Sequence, residues 1–549
     1  MPRREIAPGR SCFECRRRKI KCDRSHPCSY CVKNRIKCKY PAGRSVLDED
    51  QTALDRVASL ESRLLAIEER LSEIDKSHPS PSSASPPTIE PDNAAIPEDR
   101  QHLTQGQTVG PAFTLSTEIA PSSIVNPQPP IDLDQFRPSR PTIALLWEKY
   151  LEVVDPLLKV FHTPTVQKLV MRAVRARDML DIGSECLLFV IYYAAVVAMP
   201  PEVCLKDFGE ARSVLLKRYR TACENLLSRL KLLDSSNMVV LQAFTIYLIT
   251  GRHDDEGSDV YARVGLAVGM ALKMGLNKDG EAAGLPPFEG EMRRRLWWQL
   301  CILDIRVAED RQSEPCILES SFNTRLPSNV ADANLQPAMS RPVVAETGRT
   351  EMLYSLVRFE GSYFARQLVF SKGFSDENGY MSMSISQKLH AIDLFQERIE
   401  NQYLAHCDEQ IPFDRVTIES MRLVLAKLRL TVEVRTPQEG QPPNISAWVK
   451  LLQDAENLRK YEPGKQWLWL FQTYIEWDAL INLLSRLREE SFGEVQSWEL
   501  ACRVYDYWKN AQRTSHDYRW KKIEKLRQEV LVSLGQSTCQ WAFEPAITV

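Results

Sequence analysis

Six cysteines fall within "CFECRRRKIKCDRSHPCSYCVKNRIKC", residues 12–38, at the spacing C-x2-C-x6-C-x5-C-x2-C-x6-C. The stretch is two copies of one unit: Cys12, Cys15 and Cys22, then Cys28, Cys31 and Cys38. Thiols at this density are paired as disulfides, ligate metal, or cluster by chance, and only ligation accounts for the repeat. A C-x2-C pair lets two thiolates converge on one ion from a tight turn. Zinc takes four such ligands in a tetrahedron. Two ions need eight ligand positions, which six sulfurs supply only if two are shared, and the repeat suggests Cys12 and Cys28 as the bridging pair.

The same stretch is strongly basic. Residues 1–44 carry a net charge of +11, so the rest of a chain of net charge −2 sums to −13. That asymmetry points to a basic module for a polyanion joined to an acidic body. The other eight cysteines (Cys186, Cys204, Cys223, Cys301, Cys316, Cys407, Cys502, Cys539) are scattered singly. No apolar segment follows the basic start "MPRREIAPGR", as a secretory signal would require. The longest apolar run, "CLLFVIYYAAVVAM" (186–199), is shorter than the roughly 20 residues a membrane span needs and reads as a buried helix. The expectation is an intracellular protein with no membrane partner, in which disulfides are disfavoured. No hydrolase, phosphate-loop, metalloprotease or dinucleotide motif occurs in the body. "RHDDEGSD" (252–259) could gather a divalent ion through His253, Asp254, Asp255, Glu256 and Asp259, but reads as a solvated, capping loop before a helix. The expectation is no enzyme and no catalytic residue.

The N-terminal stretch resembles the fungal zinc binuclear cluster (Zn2Cys6) family of transcription factors. The six cysteines, the basic run between the second and third, Pro27 before the fourth and "CKYP" after the last carry the resemblance. It implies two Zn2+ per chain, one held by Cys12, Cys15, Cys22 and Cys28, the other by Cys28, Cys31, Cys38 and Cys12. A short helix should follow the first C-x2-C, held by the metal rather than by its own propensity, and should enter the DNA major groove. There Lys19, with Arg18 beside it, is the expected reader of guanine O6 and N7 in CGG-type half-sites of double-stranded DNA. Arg10, Arg16, Arg17, Lys21, Lys33, Arg35, Lys37 and Lys39 are expected on phosphates, which set affinity and position without reading sequence. Six thiolates fill both ions, so His26 is expected to be a loop residue.

A module this small reads few base pairs and needs a second half-site. In "ALDRVASLESRLLAIEERLSEID" (53–75), Val57, Leu60, Leu64, Ile67, Leu71 and Ile74 follow alternating steps of three and four, the seam of a coiled coil. The g positions Arg56, Arg63 and Arg70 face e positions Glu61, Glu68 and Asp75 of a parallel partner, so the expectation is a homodimer. Residues 77–141 contain thirteen prolines in 65 residues and read as a disordered spacer. From 142 to 549 the texture is helical. "DPLLKVFHTPTV", "GLAVGMALKMGLNKDG", "PPFEGEMRRRLWWQLCILD" and "TRLPSNV" resemble the fungal-specific transcription factor (middle homology) domain, over roughly 145–340. In the third, Glu291 and Arg293–Arg295 are expected in an exposed or salt-bridged turn, with Leu296, Trp297, Leu300 and Leu303 inward. Gly275 or Asn277 is expected to stop the preceding helix. Trp467, Trp469, Trp477 and Trp498 are expected in the core.

The expected fold class is therefore mostly α: a binuclear zinc cluster at 10–41, a short parallel coiled coil at 53–75, the spacer at 77–141, and an all-α regulatory domain at 142–549. The resemblance implies a nuclear, zinc-dependent activator of RNA polymerase II promoters for a metabolic gene set, with secondary metabolism as the leading expectation. It would work with the transcription machinery or co-regulators, and no residue for a small-molecule effector is nominated. An accessory regulator or repressor acting through protein partners stays open.

Overall fold

Helices fill the described part of the chain because its apolar residues recur at steps of three and four, and no strand occurs among the described residues. The computed structural model describes residues 12, 14–15, 21–23, 27–36, 38, 131–175, 180–252, 260–311, 313–369, 379–435, 445–473, 476–489, 495–510 and 518–533. The expected coiled coil (53–75), most of the expected spacer, the loop 253–259 and Cys539 lie outside them. The chain divides into two units, Met1–Thr114 and Leu115–Val549.

In the first unit the helix described from end to end is α1 (Ser29–Lys33). The second begins earlier than the proline count suggested. Leu133 is buried in the main core, and the Arg137 Nε donates to Glu185 at 3.0 Å. Ser139 then caps α2 (Arg140–Val153) by accepting from the Thr142 N–H at 3.4 Å, with Pro141 in its first turn. Residues 131–141 thus belong to the body rather than the spacer, because Leu133 and Arg137 have partners on it.

Next come α3 (Thr163–Arg175), α4 (Ile182–Ala198), α5 (Pro201–Phe208), α6 (Arg212–Arg229) and α7 (Met238–Gly251). The long apolar run is α4. Asp181 caps its start on the Ser184 N–H at 2.9 Å, and it packs against α2, α6 and α7, which cover almost every side chain. Each large apolar side chain so buried contributes about 1.5–3 kcal/mol, enough to make α4 the centre of the core. No helix among the described residues is long and apolar enough to cross a membrane.

Helix α8 (Val260–Lys273) stops where the glycine stands. Gly275 has φ of 72°, the Leu276 N–H donates to Ala271 O at 2.9 Å, and the Gly275 N–H donates to Leu272 O at 3.0 Å. These are the paired bonds of a left-handed C-terminal stop.

The 25-residue α9 (Pro287–Arg311) carries the arginine run, and of the two expected alternatives, exposed or salt-bridged, the structure shows the salt-bridged one. Arg295 and Glu291 are both 0% exposed. Arg295 Nη1 donates to Asp332 at 2.6 Å, Glu291 accepts the Ser328 N–H at 3.1 Å, and Lys159 donates to Asp155 at 2.7 Å and Asp332 at 3.4 Å. Burial pushes the Asp332 carboxyl up, but Arg295 and Lys159 overcome it and hold the group well below the usual carboxylate range. Arg294 grips Asp279 through Nε and Nη2 at 2.8 and 2.7 Å, and Arg293 donates to Met274 O. All three arginines of "RRRLWW" are taken up inside the body, while Leu296, Trp297, Leu300 and Leu303 are buried as expected.

Helices α10 (Leu353–Val369), α11 (Ile385–Gln402) and α12 (Pro412–Arg435) complete the main core. Then α13 (Ile445–Arg459), α14 (Trp477–Glu489), α15 (Val495–Asn510) and α16 (Tyr518–Ser533) build a second core with Leu430 of α12, around Trp448, Trp498, Trp508 and Trp520. The 3-10 stretch Glu462–Thr473 returns to the first helix of the body. Its Trp467 and Trp469 indoles donate to Glu152 O at 3.0 Å and Val153 O at 2.8 Å, filling carbonyls that the end of α2 leaves open.

Candidate metal centre and nucleic-acid interface

Four sulfurs meet in the first unit. Cys12, Cys15, Cys28 and Cys31 are all buried and present their Sγ atoms within 4.8 Å of one another. Cys12 Sγ lies 3.7 Å from Cys28 Sγ and 3.7 Å from Cys31 Sγ, and Cys15 Sγ lies 3.6 Å from Cys28 Sγ. A disulfide would hold its sulfurs at about 2.05 Å, and all six cysteines are free. A tetrahedral zinc thiolate with bonds of about 2.3 Å has sulfur–sulfur edges of about 3.8 Å, so these contacts fit pairs of thiolates that share an ion.

The contacts also cross between the two halves of the repeat. Cys12, from the first half, touches Cys28 and Cys31 of the second; Cys28, from the second, touches Cys15 and Cys12 of the first. A Cys12–Cys28 edge common to two tetrahedra has this pattern. Cys38 is held close by accepting the Cys28 N–H at 3.4 Å. Cys22 is buried beside Cys28, with Asp23.

Burial pushes all the thiols resolved here upward, and their hydrogen bonds then separate them. At Cys12 the bonds from Cys15, Cys28 and Cys31 outweigh burial and hold the thiol below its ordinary value. At Cys28 the bonds from Cys31 and Cys15 do the same. At Cys15, Cys31 and Cys38 burial prevails, and the thiols are raised. Of these five, the two lowered thiols are the two that the repeat suggests as shared.

Helix α1 starts at a cysteine that has no oxygen with which to cap it. Asp23 supplies the cap from a distance, accepting the Ser29 N–H at 3.0 and 3.2 Å and also the Ser29 hydroxyl. Sequence reasoning missed this residue. The available signal was an acid directly after the third cysteine of a half whose next helix begins on a metal ligand. The far end closes through the Ile36 N–H to Cys31 O at 2.9 Å and the Arg35 N–H to Val32 O at 3.1 Å. That leaves Arg35 at φ of 51°, a left-handed position where glycine is the usual residue. The turn brings the chain back towards Cys38.

Of the expected DNA contacts, Lys21, Lys33 and Arg35 are described, and all three are exposed. Lys33 sits in the last turn of α1. Arg10, Arg16, Arg17, Arg18, Lys19, Lys37 and Lys39 lie outside the described residues, as does His26. Immediately before that basic run, Glu14 and Cys15 are helical.

Comparison with known proteins places two families on the chain. Residues 10–45 match the fungal Zn(2)-Cys(6) binuclear cluster domain, and residues 147–392 match the fungal specific transcription factor domain. The second match runs further than the resemblance noted to about residue 340. The aurofusarin cluster transcription factor aurR2 of Gibberella zeae is 30% identical, over 92% of this chain and 77% of the relative. The transcriptional regulator AacuB of Aspergillus aculeatus is 29% identical, over 68% of this chain and 53% of the relative. The pyriculol/pyriculariol biosynthesis cluster transcription factor 1 of Pyricularia oryzae is 31% identical, over 56% and 43%.

Proposed function

The chain belongs to the fungal Zn2Cys6 binuclear cluster transcription factors, which bind two zinc ions through six cysteines, and we propose that it is a nuclear, sequence-specific regulator that binds CGG-type half-sites as a homodimer. The observation that carries this reading is the set of sulfur contacts across the repeat, with Cys12 and Cys28 as the common edge. Cys12, Cys15, Cys22 and Cys28 would hold one ion, and Cys28, Cys31, Cys38 and Cys12 the other. Bound zinc supplies the crosslinks that so short a segment lacks in apolar core. Asp23 and the left-handed Arg35 fix the two ends of α1, which sets where Lys33 and Arg35 can meet a phosphate backbone.

Base reading is assigned to Lys19 with Arg18 beside it. Phosphate contacts are assigned to Arg10, Arg16, Arg17, Lys21, Lys33, Arg35 and Lys37. Residues 53–75 would join two copies through Val57, Leu60, Leu64, Ile67, Leu71 and Ile74, and so pair two half-sites. The body takes no part in DNA contact through "RRRLWW", whose guanidinium groups are engaged internally. One relative is named for the aurofusarin cluster and another for the pyriculol/pyriculariol biosynthesis cluster, which supports activation of a metabolite gene set, at RNA polymerase II promoters, as this chain's role.

A titration of the zinc-loaded protein on duplexes bearing one or two CGG half-sites, repeated across salt concentrations, tests the proposal. Two half-sites should bind more tightly, and affinity should fall steeply with salt. Lys19→Ala should relax base preference at one position by about 1–3 kcal/mol while leaving the salt slope nearly unchanged. Equal binding to any sequence would instead favour a regulator working through protein partners.

A further inference from the structure

Beyond α9 the chain makes two loop stretches, 325–329 and 345–348, that border a cleft with the start of α10 and the end of α11. The cleft holds about 600 Å³, and small-molecule sites usually measure about 300–1,000 Å³. Leu326, Pro327 and Leu356 give it an apolar lining. Arg398 and His406 line it too, and both are exposed. The Arg398 side chain is 47% exposed, so solvent reaches the cleft there.

The acids on its walls already have partners. Glu360 accepts from the Tyr403 hydroxyl and pairs with Arg398, while Glu346 accepts the Ala331 N–H at 2.9 Å and the Asn334 amide at 2.8 Å. The cations differ in how fully they are engaged. Arg294 and Arg325 are each held on Asp279 and Glu281. Arg398 has one carboxylate partner, which it shares with Tyr403, and its bonds to Glu360 and Gln402 run through Nη1 alone. Its Nε and Nη2 make no hydrogen bond among the described residues. The guanidinium lies over the Phe395 ring at 5.1 Å, a contact that orients its plane. A free Nε/Nη2 edge matches a carboxylate in two-pronged fashion. This molecule uses that edge so elsewhere: Arg294 holds Asp279 through Nε and Nη2 at 2.8 and 2.7 Å.

We propose that this cleft binds a small carboxylic acid with an apolar body. The Nε/Nη2 edge of Arg398 takes the two carboxylate oxygens while Nη1 stays on Glu360, and the apolar body lies on Leu326, Pro327 and Leu356. His406 borders the same space and adds a ring N–H. The site lies in the body and does not depend on how the zinc module reads DNA.

Thermal unfolding of the full-length, zinc-loaded protein tests this, with sodium benzoate titrated against sodium chloride at equal ionic strength. Benzamide, which has the body without the charge, and inorganic phosphate, which has charge without the body, are the control arms. Benzoate should raise the Tm saturably above the chloride control, as a ligand selective for the folded state does, and neither control should match it. Arg398→Lys keeps a cation beside Glu360 but removes the two-pronged edge, so it should abolish the rise. Should that variant not fold, Ala345→Trp, at an exposed position on the cleft wall, fills the space without touching a charged group and should abolish it as well. No benzoate effect on the wild-type chain, an undiminished rise in either variant, or an equal rise with benzamide or phosphate would overturn the proposal.

Discussion

Cys12 and Cys28 touch each other across the repeat, and hydrogen bonds hold each below the ordinary thiol value, whereas Cys15, Cys31 and Cys38 are raised. If they are the shared ligands, replacing one opens both coordination shells, whereas replacing Cys22 or Cys38 opens one. Cys12→Ser and Cys28→Ser should therefore lose nearly all zinc, and Cys22→Ser should retain about half as much as the wild-type chain, by metal analysis of purified protein. Arg35 poses a different question, because a non-glycine residue at φ of 51° costs about 1–2 kcal/mol relative to a right-handed one. A cation kept there at that cost fits a phosphate contact. Arg35→Gly should slow zinc loss to a chelator yet weaken DNA binding uniformly across sequences, reducing the salt slope by about one. Weaker zinc retention would show that the left-handed turn is not strained.

Element ends decide how the helices are aimed. The stops at Gly275 and Arg35 use the same pair of backbone bonds, but only the glycine could be read in advance, since residue type signals a left-handed turn and arginine does not. The N-terminus of α9 is set by an approach of another kind. A Cβ on Gly280 would lie 2.7 Å from Gly290 Cα, so the turn before α9 rests directly on the helix backbone. Gly280→Ala must push the two apart, and should cost about 1–3 kcal/mol in chemical denaturation. It should leave zinc content unchanged, because the cluster belongs to the other unit. Helix α4 was the most legible element in the chain, as an apolar run too short for a membrane has only a core to occupy.

For the body as a whole, buried ion pairs set the response to acid. Burial pushes the Asp279 carboxyl up, but Arg294 and Arg325 outweigh it and bring the group down to about 2. Asp332 is held lower than the usual range by Arg295 and Lys159. A carboxylate whose folded value lies below the unfolded value of about 3.9 stabilises the fold above that pH and withdraws the contribution as pH falls through the folded value. Stability of the body should therefore decline between about pH 4 and pH 2, as followed by helical circular dichroism at fixed temperature. Asp279→Asn should lower stability at neutral pH and flatten that decline. An unchanged acid profile in the variant would show that Asp279 is not among the groups responsible.

The zinc module was legible because its donors lie within 27 residues, where spacing alone limits which sulfurs can share an ion. The helical class of the body was legible for the same local reason, since periodicity over one or two turns states which face is apolar. What the order of residues could not show was the company of the polar ones. Lys159 and Asp332 are 173 positions apart and Trp469 meets Val153 across 316, so their pairing exists only once the cores have closed. The arginine run read as exposed or salt-bridged, and its partners Asp279, Glu291 and Asp332 were identified only by the fold. Burying a charge is tolerated only with a partner in place, and that partner is chosen by packing, which a linear pattern does not contain.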